Sequence, residues 1–198
     1  MEINGKRLME HINTLGKIGI GEDGRRIRLA ASDTNRQGRD QVAAWMEEAD
    51  LQVVVDRIGN IFGIWETPEN KGETPMMVGS HIDTVINAGQ YDGCLGVLAG
   101  IELCQTLQEQ GVRPKHPLVV GVFTNEEGVR YSPDMMGSLV YAGGLSCEEA
   151  LASVGTDGTI LGEELKRIGY GGTVEPGFLK PFAFLELHIE QGPIMDVE

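Results

Sequence analysis

Three apolar runs in this sequence each end in polar side chains of the kinds that bind metal ions, and glycine follows. The runs are residues 76–78, 117–124 and 182–187. The polar side chains that follow them are His81 with Asp83, Glu126 with Glu127, and His188 with Glu190 and Gln191. Apolar runs of this length are typical of buried strands, and the carboxyl ends of neighbouring parallel strands share one edge of a sheet. The pattern therefore predicts that these side chains converge.

A fourth candidate, Asp92, stands eleven residues after His81 between two glycines. A helical pattern over residues 94–110 begins directly after it. An imidazole and a carboxylate on either side of a glycine-rich turn suit a metal site. Taken alone, the same residues also suit a histidine that caps a strand, an aspartate that orients it and an Asp-Gly turn.

The adjacent pair Glu126 and Glu127 is the most informative of these features. Two carboxylates that leave an apolar strand together repel each other unless a cation lies between them or one is protonated. Successive side chains of an extended chain point in different directions, so one glutamate could bind metal while the other acts as a general base. The alternative is a solvated loop with two exposed glutamates. The similar ends of the other two runs favour the metal interpretation.

Composition narrows the possible partners. The net charge is −14, and the longest basic cluster is the short stretch at residues 25–28. This argues against nucleic acid or an anionic membrane as the partner. The three cysteines lack CxxC spacing, and neither a signal-peptide pattern nor an apolar run of membrane-spanning length is present in the sequence. We therefore expect a soluble, cytoplasmic protein with reduced thiols.

Predicted strands alternate with predicted helices along the chain. Besides the three apolar runs, residues 51–55 and 61–65 are β-rich and are separated by a tight turn. Helical patterns cover residues 4–16, a stretch that starts at Asp33, residues 94–110 and most of 134–170. His11 lies in the first helix, and we interpret it as structural. The order predicts a single α/β domain with a mixed, largely parallel sheet flanked by helices.

The motifs resemble a known family, the hydantoinase/carbamoylase amidases of the M20 metallopeptidase clan. These comprise N-carbamoyl-L-amino acid hydrolases, β-ureidopropionases and allantoate amidohydrolases. The similar segments are DRIGNIFG (56–63), GSHIDT (79–84), YDGCLGV (91–97), FTNEEG (123–128), DMMGS (134–138) and ELHIEQG (186–192). The last of them distinguishes this branch from ordinary M20 peptidases.

The resemblance implies an M20-type catalytic domain with two divalent metal ions. It implies that His81 and His188 bind one ion, that Asp92 bridges both and that Glu127 binds the second. Zn²⁺, Mn²⁺, Co²⁺ or Ni²⁺ would each suit imidazole and carboxylate ligands.

The resemblance also implies roles for three further residues. Glu126 would be the general base that acts on the water between the ions. Asp83 would fix the His81 ring through a carboxylate–imidazole hydrogen bond. Gln191 would help to bind a small ureido or carbamoyl substrate.

The family's second metal ion has a further histidine ligand late in the chain, and neither His11 nor His116 suits that place. We therefore expect residues 1–198 to be the N-terminal portion of the catalytic domain, without the lid and dimerisation domain and the C-terminal strands. The complete protein would be a homodimer, and this chain alone would have little or no activity.

Two alternatives to the amidohydrolase stay open. One is an M20-type metallo-aminopeptidase or dipeptidase, with the same metal chemistry on a peptide bond. The other is a non-catalytic fragment or interaction module. Gln191 and its HIEQG context favour the amidase over the peptidase. The complete set of ligand-type residues argues against the non-catalytic alternative for the parent protein.

Overall fold

A computed structural model describes residues 2–190, which form six helices and five strands. The helices are α1 (Gly5–Lys17), α2 (Asp33–Glu48), α3 (Cys94–Glu109), α4 (Met136–Tyr141), α5 (Cys147–Leu151) and α6 (Leu161–Arg167). The strands are β1 (Gln52–Val55), β2 (Ile61–Trp65), β3 (Met76–His81), β4 (Leu118–Phe123) and β5 (Ala183–Leu185). None of the described helices is both long and apolar enough to cross a membrane.

The strands form one mixed sheet in the order β1-β2-β4-β3-β5. The β3–β4 and β3–β5 pairs are parallel, whereas β2 is antiparallel to both of its neighbours. Four of the five strands therefore run in the same direction, with helices packed against them. The predicted α/β class with a mixed sheet flanked by helices is confirmed.

The centre of the sheet is β4, all of whose residues are buried. Val120 and Val122 join the main core, to which α1, α2 and α3 contribute. Val119 and Phe123 alternate with them and belong to a smaller cluster with Phe62 and Met77 on the opposite face. A strand covered on both faces requires apolar residues at every position, which explains the uninterrupted run in the sequence.

The last predicted strand differs from its prediction. Residues 182–187 were expected to form a buried strand, but β5 has only three residues, and Phe184 and Leu185 are 43% and 55% exposed. Among residues 2–190 it pairs only with β3, because it lies at the edge of the described sheet. Apolar composition predicted a strand here but could not show that one of its sides is open.

The stretch 134–170 is less helical than predicted. It contains three short helices, and the predicted breaks at Gly143-Gly144 and Gly155 both fall between them. Residues 152–160 form a turn closed by a bridge between Val154 and Ile160. The first helix agrees well with the sequence, since Asn4 caps α1 by accepting a hydrogen bond from the Arg7 amide.

The strands β3 and β4 approach closely where Gly79 faces Gly121 in the parallel register. A Cβ atom on Gly79 would lie 2.1 Å from the Gly121 carbonyl oxygen, whereas one on Gly121 would first meet the Met77 sulfur at 3.2 Å. We expect Gly79→Ala to lower the free energy of unfolding by roughly 3 kcal/mol, since backbone cannot move aside as a side chain can. Gly121→Ala is the matched control and should cost clearly less. Equal losses in urea unfolding would contradict this account.

The interpretation of His11 as structural is consistent with its position, where its ring stacks on Trp45 with centroids 4.2 Å apart. Its Nδ1 is buried without a hydrogen-bond partner among the described residues. Burial, assisted by the nearby Arg7 charge, lowers the pKa of His11 below its usual value.

This depressed pKa predicts a loss of stability in acid. As the pH falls below about 6.5, the unfolded chain takes up the His11 proton before the folded chain does, which favours unfolding. His11→Phe keeps a stacked ring and removes both the titration and the orphan nitrogen. We expect the variant to lose less stability than the parent between pH 7.5 and pH 5 in urea unfolding. An unchanged pH dependence would show that His11 does not contribute to it.

Candidate metal centre

The predicted ligand-type residues meet at the carboxyl end of the parallel strands. Among the described residues, two groups could each hold a metal ion, His81 with Asp92 and His188, and His81 with Glu126 and Glu127. Within each group the ligand atoms lie within 4.8 Å of one another. His81 belongs to both groups, because it ends β3 at the middle of this edge.

The His81 ring is oriented by its own chain. Its Nδ1 lies 2.9 Å from the backbone oxygen of Asp83. A carbonyl oxygen only accepts, so the neutral ring carries its hydrogen on Nδ1 and exposes a lone pair on Nε2. That Nε2 lies 3.5 Å from Glu126 Oε2 and 3.9 Å from Asp92 Oδ1. The side chain is 1% exposed, so its lone pair is available only to this group of residues.

Gly93 makes room for that nitrogen. Its φ of +63° is in the left-handed region, and a Cβ atom at this position would lie 2.4 Å from His81 Nε2. The glycine beside Asp92 therefore serves both the backbone turn and the close approach of the imidazole.

The predicted hydrogen bond between the Asp83 carboxylate and the His81 ring is wrong. Asp83 Oδ1 lies 4.0 Å from His81 Nδ1, and the ring uses the Asp83 backbone oxygen instead. The carboxylate accepts hydrogen bonds from the backbone amides of Glu126 and Glu127, each at 3.2 Å. The turn after β3 brings the carbonyl back over the ring and leaves the carboxylate facing the end of β4. Asp83 therefore orients the histidine with its backbone and the glutamate loop with its side chain.

His188 reaches the same place from the segment after β5. Its Nδ1 lies 2.7 Å from the Ile189 backbone oxygen, and its Nε2 lies 3.4 Å from Asp92 Oδ1. The backbone amide of Gly93 also donates to Nε2 at 3.3 Å. The His81 and His188 rings stack with centroids 5.8 Å apart. Both Nε2 atoms thus face the Asp92 carboxylate.

Electrostatics around the glutamates fit a divalent cation. Burial, with the nearby Asp92 carboxylate, raises the pKa of Glu127 to about 7. Burial also raises the pKa of Glu126, with Asp83 adding to the effect and His81 opposing it. Glu127 Oε1 is buried and has no hydrogen-bond partner among the described residues. An orphan carboxylate oxygen beside imidazole nitrogens is the donor set that borderline divalent metals prefer, so these residues fit such an ion.

The same surroundings act on His81. Burial lowers the pKa of its ring, but the Asp83 and Glu126 carboxylates outweigh this and raise the pKa overall. A cation held by this group of residues would replace the charge that a proton supplies there.

Sequence reasoning missed two residues, Asn60 and Arg39, that anchor the start of the loop carrying Glu126 and Glu127. Asn60 accepts a hydrogen bond from the Thr124 amide at 2.9 Å and donates to the Gly137 carbonyl at 3.1 Å. Arg39, buried to 1% exposure, donates to Thr124 Oγ1 and to the Gly59 carbonyl. Asn60 lies in the segment 56–63 that resembles the family, which was a possible signal, whereas nothing in the helical pattern of α2 marked Arg39.

Arg28 belongs to the short basic stretch at residues 25–28, and its side chain is buried. Its Nε donates to the Ile82 carbonyl, one of its terminal nitrogens donates to Leu15 and Ile18 at the end of α1, and the other donates to Cys94 Sγ. It therefore ties the loop after β3 to the start of α3, and these two segments carry His81 and Asp92.

The other sequence candidates lie elsewhere. Glu190 belongs to neither group among the described residues. Gln191, predicted to bind substrate, lies outside the described residues. His116 contacts the Phe182 ring in a tilted arrangement near the start of β5, and it belongs to neither group among the described residues.

The sequence and fold define the class of protein. The family model of Peptidase family M20/M25/M40 matches residues 77–198, more than half of the chain. The chain therefore belongs to this family. It contains the four described strand-end and loop segments that bring the ligand-type residues together.

Relatives place it more narrowly. The chain is 41% identical over 196 residues to an N-carbamoyl-L-amino-acid amidohydrolase of Rhizobium meliloti, covering 99% of the chain and 47% of that protein. It is 35% identical to a ureidoglycolate hydrolase of Arabidopsis thaliana, covering 100% of the chain and 43% of that protein. A crystal structure of a hydantoinase/carbamoylase family amidase from Burkholderia vietnamiensis superposes with a TM-score of 0.95 at 39% identity, covering 99% of the chain and 47% of that structure.

These comparisons confirm the resemblance to hydantoinase/carbamoylase amidases that the motifs indicated. The chain spans about half the length of the curated relatives it matches.

The double contact of Asp83 with the glutamate loop predicts a local effect of its removal. Asp83→Ala keeps the backbone carbonyl that orients His81 but leaves the amides of Glu126 and Glu127 without acceptors, at a cost of about 1–3 kcal/mol for each buried group. We expect amide hydrogen exchange at both residues to accelerate at least about tenfold. Asp83→Asn is the matched control, since its single side-chain oxygen can still accept one amide. Unchanged protection in Asp83→Ala would contradict this role.

Proposed function

We propose that this chain belongs to a metal-dependent amidohydrolase that cleaves the carbamoyl C–N bond of N-carbamoyl-L-amino acids or of related ureido acids such as allantoate. Because it spans about half of its relatives, we propose that residues 1–198 form the N-terminal portion of the catalytic domain. A homodimer for the complete protein is part of this proposal.

The observation that carries the proposal is the pair of ligand groups that share His81. Adjacent imidazole and carboxylate groups suit divalent ions, and Mn²⁺, Zn²⁺, Co²⁺ and Ni²⁺ all accept such ligands. Because the neutral His81 ring offers a single lone pair at Nε2, it would bind one ion, and a carboxylate would have to join it to a second. Relatives named for N-carbamoyl-L-amino acids, ureidoglycolate and allantoate support a ureido acid as the substrate class.

We assign the metal ligands from their contacts. Asp92 faces both imidazoles and shares a hydrogen bond with Glu127, which supports a bridging role. His81 and His188 form one group with Asp92, and Glu127 offers its orphan oxygen in the group that also contains His81. When bound there, divalent ions supply a Lewis acid that polarises the ureido carbonyl and makes water more acidic.

Glu126 is the proposed general base. Its side chain is 34% exposed, more than His81 or Asp92, so it can reach both substrate and water. Burial raises its pKa, which makes its carboxylate a better proton acceptor near neutral pH. It would take a proton at Oε2 and later donate that proton to the leaving nitrogen. Asp83 holds the backbone of this glutamate in place, and Gln191 is proposed to bind substrate.

Metal binding by the 198-residue chain tests the ligand assignment. After incubation with Mn²⁺ or Zn²⁺ and gel filtration, we expect about one or more ions to remain per chain. Because His81 is shared, His81→Ala should remove this binding altogether. His116→Ala is the control and should retain it. Full retention of metal by His81→Ala would overturn the assignment.

The general base is tested in a protein in which this chain is joined to the remaining portion found in its relatives. Glu126→Gln keeps the shape of the side chain and removes its basicity, so turnover of N-carbamoyl-L-amino acids should fall by about 10²–10⁴-fold. Metal content should not change. Undiminished release of ammonia would remove Glu126 from this role. Cleavage of dipeptides in place of carbamoyl substrates would favour the metallo-aminopeptidase or dipeptidase alternative, which the peptidase family name also suggests.

A further inference from the structure

The two histidines of the candidate centre lie beyond the ladder that joins their strands. The parallel pairing of β3 with β5 covers only three positions and ends at Val78 opposite Leu185. His81 and His188 each follow three residues later. Their rings nevertheless stack with centroids 5.8 Å apart, so other contacts must fix their spacing.

A side-chain hydrogen bond continues where the ladder ends. Ser80 Oγ donates to Glu186 Oε1 at 2.5 Å. Ser80 directly precedes His81 and is 2% exposed, whereas Glu186 is two residues before His188 and reaches in from the surface. A hydroxyl bonded to an ionised carboxylate forms a stronger bond than a neutral pair does.

The start of α3 packs against both of the segments that this bond joins. A Cβ atom on Gly96 would lie 2.9 Å from Ser80 Cβ and 2.7 Å from the Leu187 carbonyl oxygen. Because residue 96 has no side chain, the helix can lie against both segments. It contacts Ser80 itself and Leu187, the residue after Glu186.

We propose that Ser80 and Glu186 form a positioning pair that holds His188 at the correct distance from His81 and so sets the affinity of the centre for metal. Neither residue binds the ion in this arrangement. Glu186 belongs to neither ligand group among the described residues, and one of its oxygens is already used by Ser80. The inference rests on the metal site proposed above.

The test is a Co²⁺ titration of the 198-residue chain, followed by absorption spectroscopy, with Ser80→Ala, Glu186→Gln and the double variant. Loss of a residue that orients a ligand typically weakens metal affinity 10–100-fold. We expect each single variant to bind roughly tenfold more weakly and the double variant to bind no more weakly than the singles, because both remove the same bond. Independent, additive losses would overturn the pairing.

The chain offers a matched control. Ser146 Oγ donates to Glu149 Oε2, also at 2.5 Å, in the capping box of α5. Ser146→Ala and Glu149→Gln remove the same chemistry away from the centre and should change stability but not Co²⁺ affinity. If the Ser80 and Glu186 variants likewise lose only stability, the pair is merely structural and the proposal fails. If Glu186→Gln abolishes binding while Ser80→Ala does not, Glu186 is itself a ligand, and the proposal fails again.

Two further measurements separate this inference from the proposed function. If His81→Ala loses Co²⁺ and the pair variants bind normally, the positioning role is wrong and the metal site stands. If His81→Ala binds normally, the site assignment is wrong. The positioning role is then tested separately, by NMR spectroscopy of the metal-free chain. There we expect a nuclear Overhauser effect between the His81 and His188 rings that Ser80→Ala abolishes. Its persistence in Ser80→Ala would overturn the inference.

Discussion

The buried carboxylate of Asp83 joins the ends of two neighbouring strands, and the candidate centre depends on that connection. The parallel register places His81 opposite Phe123, so the chain leaves β3 and β4 at the same level. Asp83 then accepts the amides of both glutamates while its backbone carbonyl orients the imidazole. A single residue therefore sets the relative positions of three proposed functional side chains. Its charge can be buried because two backbone donors satisfy it.

Two buried arginines form hydrogen bonds with the segments that carry this acidic region. Arg39 lies near Asp83 and Asp56, whose charges oppose the lowering of its pKa by burial. Arg28 is solvated by backbone carbonyls, including those at the end of α1, where the helix dipole favours a positive charge. Guanidinium groups suit these places because they are weakly hydrated and present donors in several directions. Both guanidinium groups thus bind residues that closely precede the acidic centre, Arg28 at Ile82 and Arg39 at Thr124.

Much of this arrangement could be predicted from sequence, because strand ends and ligand-type side chains leave a local pattern. The convergence of His81, Glu127 and His188 followed from apolar runs that stop at polar residues. The acceptor role of Asp83 could not be predicted, since it depends on which way a short turn rotates the side chain. The burial of Arg39 was equally hidden, because its partners Gly59 and Thr124 come from distant parts of the chain. The exposure of β5 depends on its place in the sheet, which composition does not encode.

The edge position of β5 has a consequence for the order in which the centre assembles. Its three pairs with β3 join residues that lie far apart in the sequence. Closing this large loop costs conformational entropy, and the short ladder offsets that cost only after the loop has closed. The β3–β4 pair, by contrast, has six partners joined through α3. We expect β5 to dock last during folding and to detach first in native fluctuations. His188, one of the proposed metal ligands, would then be the last of them to reach the centre.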